Sequence, residues 1–233
     1  MDRPRPNDSR AALLALADQR LPGGGHVHSG GVEQAVTDEL IRDEGSLERF
    51  LERRLKSSGR VAAGLAAAAC RAAGTTQAPA ELALLEAETD ARTPSPAQRA
   101  ASRSQGRGLL RVAQAAWPAP SEHLAWTDLG NRPHHPLVLG CAGHAAALDP
   151  GGVALVAAYL AVTGPATAAQ RLLALDPVAV AVVTLRLGSA IEAVARDVAA
   201  APVAPDGLPD DSDPLLDLLA ERHAAREERL FAS

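Results

Sequence analysis

Apolar residues return along this chain at spacings of three and four, in blocks separated by Pro, Gly and Asp. That spacing lines one face of an α-helix. In the first block Leu13, Leu14, Leu16 and Ala17 share such a face, with Ser9 placed to cap it and Pro22 to stop it. Ser46 opens a longer block in which Leu47, Phe50, Leu51, Leu55, Val61 and Leu65 keep helical spacing, with Glu48 near the positive end of the dipole. Pro79 suits the first position of a helix carrying Leu82, Leu85 and Glu86. The best-marked start is Ser95-Pro96-Ala97-Gln98. There Ser95 can accept from the third amide while Gln98 reaches back to the cap amide, a device of about 1 kcal/mol. This helix is expected to run to about Ala116, before Trp117-Pro118.

Asp149-Pro150, Asp176-Pro177 and Asp213-Pro214 repeat one start signal, an Asp cap followed by a Pro that presets the first turn. The helix from Pro177 is predicted to continue through Leu185, Leu187, Ile191 and Val194 to Ala201. Its VAVAVV opening would suit a strand, but no second run would pair with it. Residues 150–170 carry no charge and approach the length of a membrane span. Gly164-Pro165 interrupts them, and Ala, Gly and Thr replace the Leu, Ile and Phe of a true span. A buried helix ending near Gly164 is expected. The pattern as a whole predicts an all-α, single-domain bundle of about nine or ten helices with a flexible C-terminal tail. The body covers residues 1–201, a Pro/Asp/Gly-rich flexible linker 202–213, and an amphipathic tail 214–233.

Composition sharpens this picture. Of 233 residues 47% are hydrophobic, yet only Phe50, Trp117, Trp126, Tyr159 and Phe231 are aromatic. The core must be built from Ala, Leu and Val, which suits closely packed helices better than sheets. The charge of −5 is spread along the chain with Arg and Glu interleaved. No basic block carries aromatics, which speaks against nucleic-acid binding. Cys70 and Cys141 stand far apart, as expected of free thiols in a reducing compartment. The opening MDRPRPNDSR has no apolar core for a signal peptide, so a cytoplasmic chain is expected.

Candidate chemistry concentrates in LPGGGHVHSGGVE, residues 21–33. Gly25 and Gly30 have P-loop spacing, but Gly31-Val32 stand where Lys and a hydroxyl are needed. Ser29 fails as a nucleophile elbow because Val27 precedes it by two. A Gly-rich turn with Ser29 capping the next helix and Glu33 in its first turns explains most of the segment. His26 and His28, and Cys141 with His144 at i,i+3, offer N and S donors for nickel or zinc. His123, His134 and His135 could add to them, yet no strong ligand spacing is present. Carboxylates such as Glu48 and Glu52 sit beside Arg53 and Arg54, which reads as surface i,i+4 pairing. No catalytic constellation, metal site or cofactor motif emerges. In the tail, Leu230 and Phe231 could contribute about 1.5–3 kcal/mol each in a pocket. Ordering the backbone costs about 1–2 kcal/mol per residue. Either a partner orders the tail or it docks on its own body.

Three motifs in order resemble the UreF family of urease accessory proteins. Within residues 13–36, Pro22, Gly24, Gly25, His28, Ser29, Gly31 and Glu33 match the family's P-x-G-G-x-x-H-S-x-G-L-E turn. Val32 replaces its Leu, and His26 its usual aromatic. Residues 91–113 are similar to a second stretch, with Ser102, Gly106 and Leu110 in place, followed by His135-Pro136 and Gly140. His223, Arg229, Leu230, Phe231 and Ser233 resemble the family tail, with Ala224 and Glu227 as departures. The resemblance implies a non-enzymatic, all-α homodimer. It implies binding to UreD (also called UreH) and to the GTPase UreG on apo-urease, so that nickel and carbon dioxide enter the active site. The residues it marks for partner binding are His28, Ser29, Gly31, Glu33, His223, Arg229, Leu230 and Phe231. It also gives the scattered histidines a possible place along a nickel path. The alternatives are a metal-dependent enzyme using His26/His28 and Cys141/His144, or an unrelated helical adaptor. Val at Gly30 and Gly31 is expected to disrupt the turn.

Overall fold

A computed structural model describes residues 8–21, 28–200, 205–226 and 230–231. Its helices are α1 (Asp8–Ala17), α2 (Val32–Thr37), α3 (Glu44–Arg54), α4 (Arg60–Ala72), α5 (Ala78–Ala91) and α6 (Pro96–Ala116). They continue with α7 (His135–Ala145), α8 (Pro150–Leu173), α9 (Pro177–Arg186), α10 (Gly188–Ala200) and α11 (Pro214–Ala224). A π-turn, Leu55–Gly59, joins α3 to α4. No β-strand occurs among the described residues, so the fold is all-α as expected. Ser95, Asp149, Asp176 and Asp213 cap their helices as the sequence predicts, each with Pro in the first turn.

Helix α4 is the hub, packed against α5, α7, α8 and α10. Its Ala63, Ala66, Ala67, Ala68, Ala69 and Ala72 are all buried, which lets neighbouring backbones come close. The tightest approach is to α7. A Cβ on Gly140 would lie 2.5 Å from the Ala66 carbonyl oxygen and 2.8 Å from the Cys70 amide.

Several boundaries differ from the sequence reading, each for a local reason. Helix α1 includes Asp8, so Ser9 lies within its first turn. The cap of α3 is Asp43 and not Ser46. The two form a reciprocal box, in which Asp43 Oδ1 accepts the Ser46 amide at 2.7 Å and Ser46 Oγ accepts the Asp43 amide at 3.0 Å. Gln98 does not reach back to its own cap; its Nε2 donates to Asp217 Oδ1 at 3.1 Å. The helix expected over 177–201 is two, α9 and α10, bent by 41° at Leu187. Arg53 and Arg54 do not join surface pairs. Arg53 grips Asp213 of α11, and Arg54 turns inward.

Helix α8 runs through Gly164-Pro165 and does not end there. Proline removes the amide that would bond the carbonyl four residues earlier, here that of Ala161. Arg54 Nε supplies the replacement donor to the Ala161 carbonyl at 3.2 Å. By length and composition α8 could cross a membrane, but it is a core helix, packed on α4, α10, α3 and α2.

Cys70 and Cys141 are both buried and free. Burial pushes the Cys70 thiol up to about 12, with Asp149 adding to the effect, and burial pushes Cys141 up as well. Because only the thiolate reacts, native protein should resist a thiol reagent at neutral pH. Two thiols per chain should appear only after denaturation. Fast labelling of folded protein in an absorbance assay would contradict the packing of α4 on α7.

Candidate functional site

The Gly-rich turn and the C-terminal helix meet at one carboxylate. Gly30 and Gly31 adopt φ of +60° and +90°, the left-handed geometry that glycine accommodates without strain. Gly31 is the N-cap residue of α2, so the cap lies two residues beyond Ser29. Ser29 Oγ still accepts the Glu33 amide, at 3.4 Å, and is itself buried. This geometry turns Glu33, in the first turn of α2, into the body, where it is 4% exposed.

Glu33 receives donors from the far end of the chain. His223 Nε2, on the last turn of α11, lies 2.9 Å from its Oε2. The Leu230 amide donates to Oε1 and the Phe231 amide to Oε2, both at 2.9 Å. Arg226 approaches Oε1 at 4.0 Å while donating to Thr37 Oγ1 at 3.0 Å. Burial pushes the Glu33 carboxyl up, but the bonds from Leu230, His223 and Phe231 together hold it below the ordinary glutamate range. The tail therefore docks on its own body around a single buried anion. Phe231 is half-buried against the core, whereas the Leu230 side chain points to solvent.

The beginning of α11 is held by a second carboxylate. Asp213 caps it by accepting the Leu215 amide at 3.0 Å and takes a two-pronged contact from Arg53. Burial acts to raise the Asp213 carboxyl, and Arg53 with the Leu215 amide more than offsets it. Glu221 of α11 in turn accepts the Ala97 amide at 2.9 Å and the Ser95 hydroxyl, completing the cap of α6. Helix α11 is thus clasped by α2, α3 and α6.

The second family-like stretch builds a different joint. Ser102 and Gly106 stand one turn apart on α6, facing the entry to α7. Ser102 Oγ lies 3.0 Å from His134 Nδ1 and accepts the His135 amide at 3.3 Å. His134 Nε2 lies 3.0 Å from Asp90 Oδ1, and Arg103 ties Asp90 to Glu86. Burial holds the fully enclosed His134 imidazole below its ordinary pKa, against the opposing pull of Asp90. The order Asp90, His134, Ser102 looks like a nucleophile relay, but the Ser102 oxygen is occupied as the anchor of the α7 N-terminus. Ser102→Ala should lower stability by about 1–3 kcal/mol by stranding these buried partners. Urea unfolding measures it; an unchanged midpoint would remove Ser102 from the joint.

Of the residues marked at the two ends, Ser29, Glu33, His223, Leu230 and Phe231 are brought together. Gly31 shapes the turn, packing near Phe50 and Leu219. His28 is buried beside His135 on a partly open cavity. Arg229, His26 and the glycines of residues 22–27 lie outside the described residues. Cys141 is buried, with Cys70 of α4 as its charge neighbour, while His144 covers Gly74. Among the described residues no three His, Cys, Asp or Glu side chains gather as a metal site. Sequence reasoning missed the inward turn of Arg54 and the joint of Ser102 with His134. The pairing of Ser102 and Gly106 one turn apart was the available signal for the latter.

Comparison with known proteins points to the same family. The UreF family model matches residues 41–188. A protein named Urease accessory protein UreF from Mycolicibacterium vanbaalenii is 53% identical over 225 residues, spanning 97% of this chain and 99% of that one. Proteins of the same name from Mycobacterium sp. strain JLS and Mycobacterium marinum are each 52% identical, over 95% and 96% of this chain and 97% and 98% of theirs.

Proposed function

The chain belongs to the UreF family of urease accessory proteins, and from that premise we propose that it is a non-catalytic adaptor in urease maturation. It works in the cytoplasm as a homodimer. It binds UreD (UreH) and the GTPase UreG on apo-urease, so that GTP hydrolysis is coupled to nickel insertion. Nickel is cargo in this reading, and the chain holds no resident cofactor.

The observation that carries the proposal is the joining of the Gly-rich turn to the C-terminal segment through Glu33. A partner that grips residues 222–233 also acts on the turn at 28–33, because both ends share one buried charge. The exposed Leu230 supplies an apolar contact for that partner, while the buried His28, Ser29, Gly31 and His223 act behind it by holding the turn and the tail in place.

The test is co-purification with UreD and then UreG, paired with urease activation in a strain lacking its own family member. Full activation without the chain overturns the reading. Deleting residues 222–233 should abolish UreD capture while leaving helicity of the body largely intact. Retained capture would take the tail out of the interface.

A further inference from the structure

A partly open cavity of about 250 Å³ lies between the Gly-rich turn, the π-turn, α6, α7, α8 and α11. Leu and Ala side chains alternate on its wall with polar and charged groups, among them Asp213, Asp217, Arg92 and the Arg54 guanidinium. Arg54 donates from Nε to the Ala161 carbonyl at 3.2 Å and from Nη1 to the Gly30 carbonyl at 3.0 Å. Both partners are neutral. Among the described residues no carboxylate comes within ion-pair distance of Arg54.

The other charged residues on the cavity wall, Asp217 excepted, have ion-pair partners. Asp213 takes Arg53, Asp18 takes Arg20, Asp211 takes Arg60 and Arg92 takes Glu88. Asp217 accepts from Gln98. Arg54 is left as a cation without a counter-charge, and desolvating such a group costs several kcal/mol. Burial accordingly pushes it down to about 10, still charged at neutral pH.

A second observation is independent of the charge. Ser58, on the π-turn four residues after Arg54, lines the same cavity, and its buried Oγ has no hydrogen-bond partner. Buried hydroxyls are nearly always satisfied, so an unmet one beside an uncompensated cation points to a group that meets both. π-turns inside helices recur where proteins bind ligands. His28 and His135 line the same space, and burial holds His135 down at about 4, with His28 adding to the effect. A neutral His135 imidazole has one N–H to donate.

We propose that this cavity binds a small oxyanion, held by the free edge of the Arg54 guanidinium and the Ser58 hydroxyl, with His135 as a further donor. The sign of the charge matters, because a divalent cation would meet the guanidinium at close range. Bicarbonate and inorganic phosphate share the required chemistry: an anionic oxygen edge, compact enough for the space. Nothing in this assignment depends on the urease reading.

The test uses the purified full chain, titrated separately with ¹³C-bicarbonate and with phosphate, each against sodium chloride at matched ionic strength. Thermal unfolding and the carbon line width are the readouts. A saturable rise in Tm with either oxyanion and none with chloride is expected, and the two arms identify the source. Ser58→Val leaves both Arg54 carbonyl bonds in place and should weaken binding about tenfold, the loss of one hydrogen bond to a charged group. Arg54→Gln should abolish it; if that chain fails to fold, the Ser58→Val titration decides. No saturable response to either anion overturns the proposal, as does binding unchanged by Ser58→Val.

Discussion

Gly106→Ala should be among the most damaging single-methyl changes in this chain. A Cβ at Gly106 would stand 3.0 Å from both the His134 carbonyl carbon and the His135 amide, and closer still to the Pro133 carbonyl oxygen. All three are main-chain atoms, so no rotamer change can relieve the contact. The entry to α7 must move, which breaks the Ser102 bonds to His134 and His135. Overpacking of a core commonly costs about 1–3 kcal/mol, and a backbone clash falls at or above the upper end. For a chain of this size that corresponds to a Tm lower by about 6–12 °C. Gly188→Ala is the matched control. Nothing lies within 4 Å of its added methyl, and its φ is not positive. It should leave stability unchanged or raise it by up to about 1 kcal/mol. Equal losses from the two substitutions, followed by calorimetry, would dismiss the close approach of α6 to α7 as their cause.

The contrast between these glycines shows which features were legible in the sequence. The Asp-Pro and Ser-Pro starts were readable because cap, amide and proline lie within three residues of one another. The positive φ of Gly30 and Gly31 was readable for the same reason. The end of α8 was not. Pro165 does break the helix's own ladder, but the donor that repairs it comes from Arg54, 107 residues away in sequence. Arg53 and Arg54 looked like surface partners for nearby glutamates, and the spacing was right. Their actual partners, Asp213 and two main-chain carbonyls, belong to elements that only the packed fold brings near. Glu33 follows the same logic. A carboxylate in the first turn of a helix is ordinary, and its burial depends on His223, 190 residues later. The family motifs marked Ser102 and Gly106, but their work on the α7 entry became visible only with His134 in place.

Glu33→Ala should detach the end of α11 while leaving most of the bundle intact. Its removal strands His223 and the Leu230 and Phe231 amides, and each buried donor left unmet typically costs about 1–3 kcal/mol. Glu33→Gln should be milder but still destabilising, since one side of its amide cannot accept from the donors aimed at it. The start of α11 keeps its own anchor in Asp213 and Arg53, so opening should be confined to residues 221–231. Hydrogen exchange followed by mass spectrometry resolves this: protection should vanish there and persist in α4 and α7. Acid should act on the native chain in the same direction. Glu33 and Asp213 are both held below their ordinary values of 4.5 and 3.8. Their contribution is fully present above those values and is lost as pH falls through the lowered folded ones. Native protein should therefore release α11 in acid before the core unfolds. Glu33→Gln, with no proton to bind there, should show a shallower acid dependence of that release. Protection of residues 221–231 that survives in Glu33→Ala would mean that the apolar contacts of Leu216, Leu219 and Phe231, and not the buried charge, hold the tail in place.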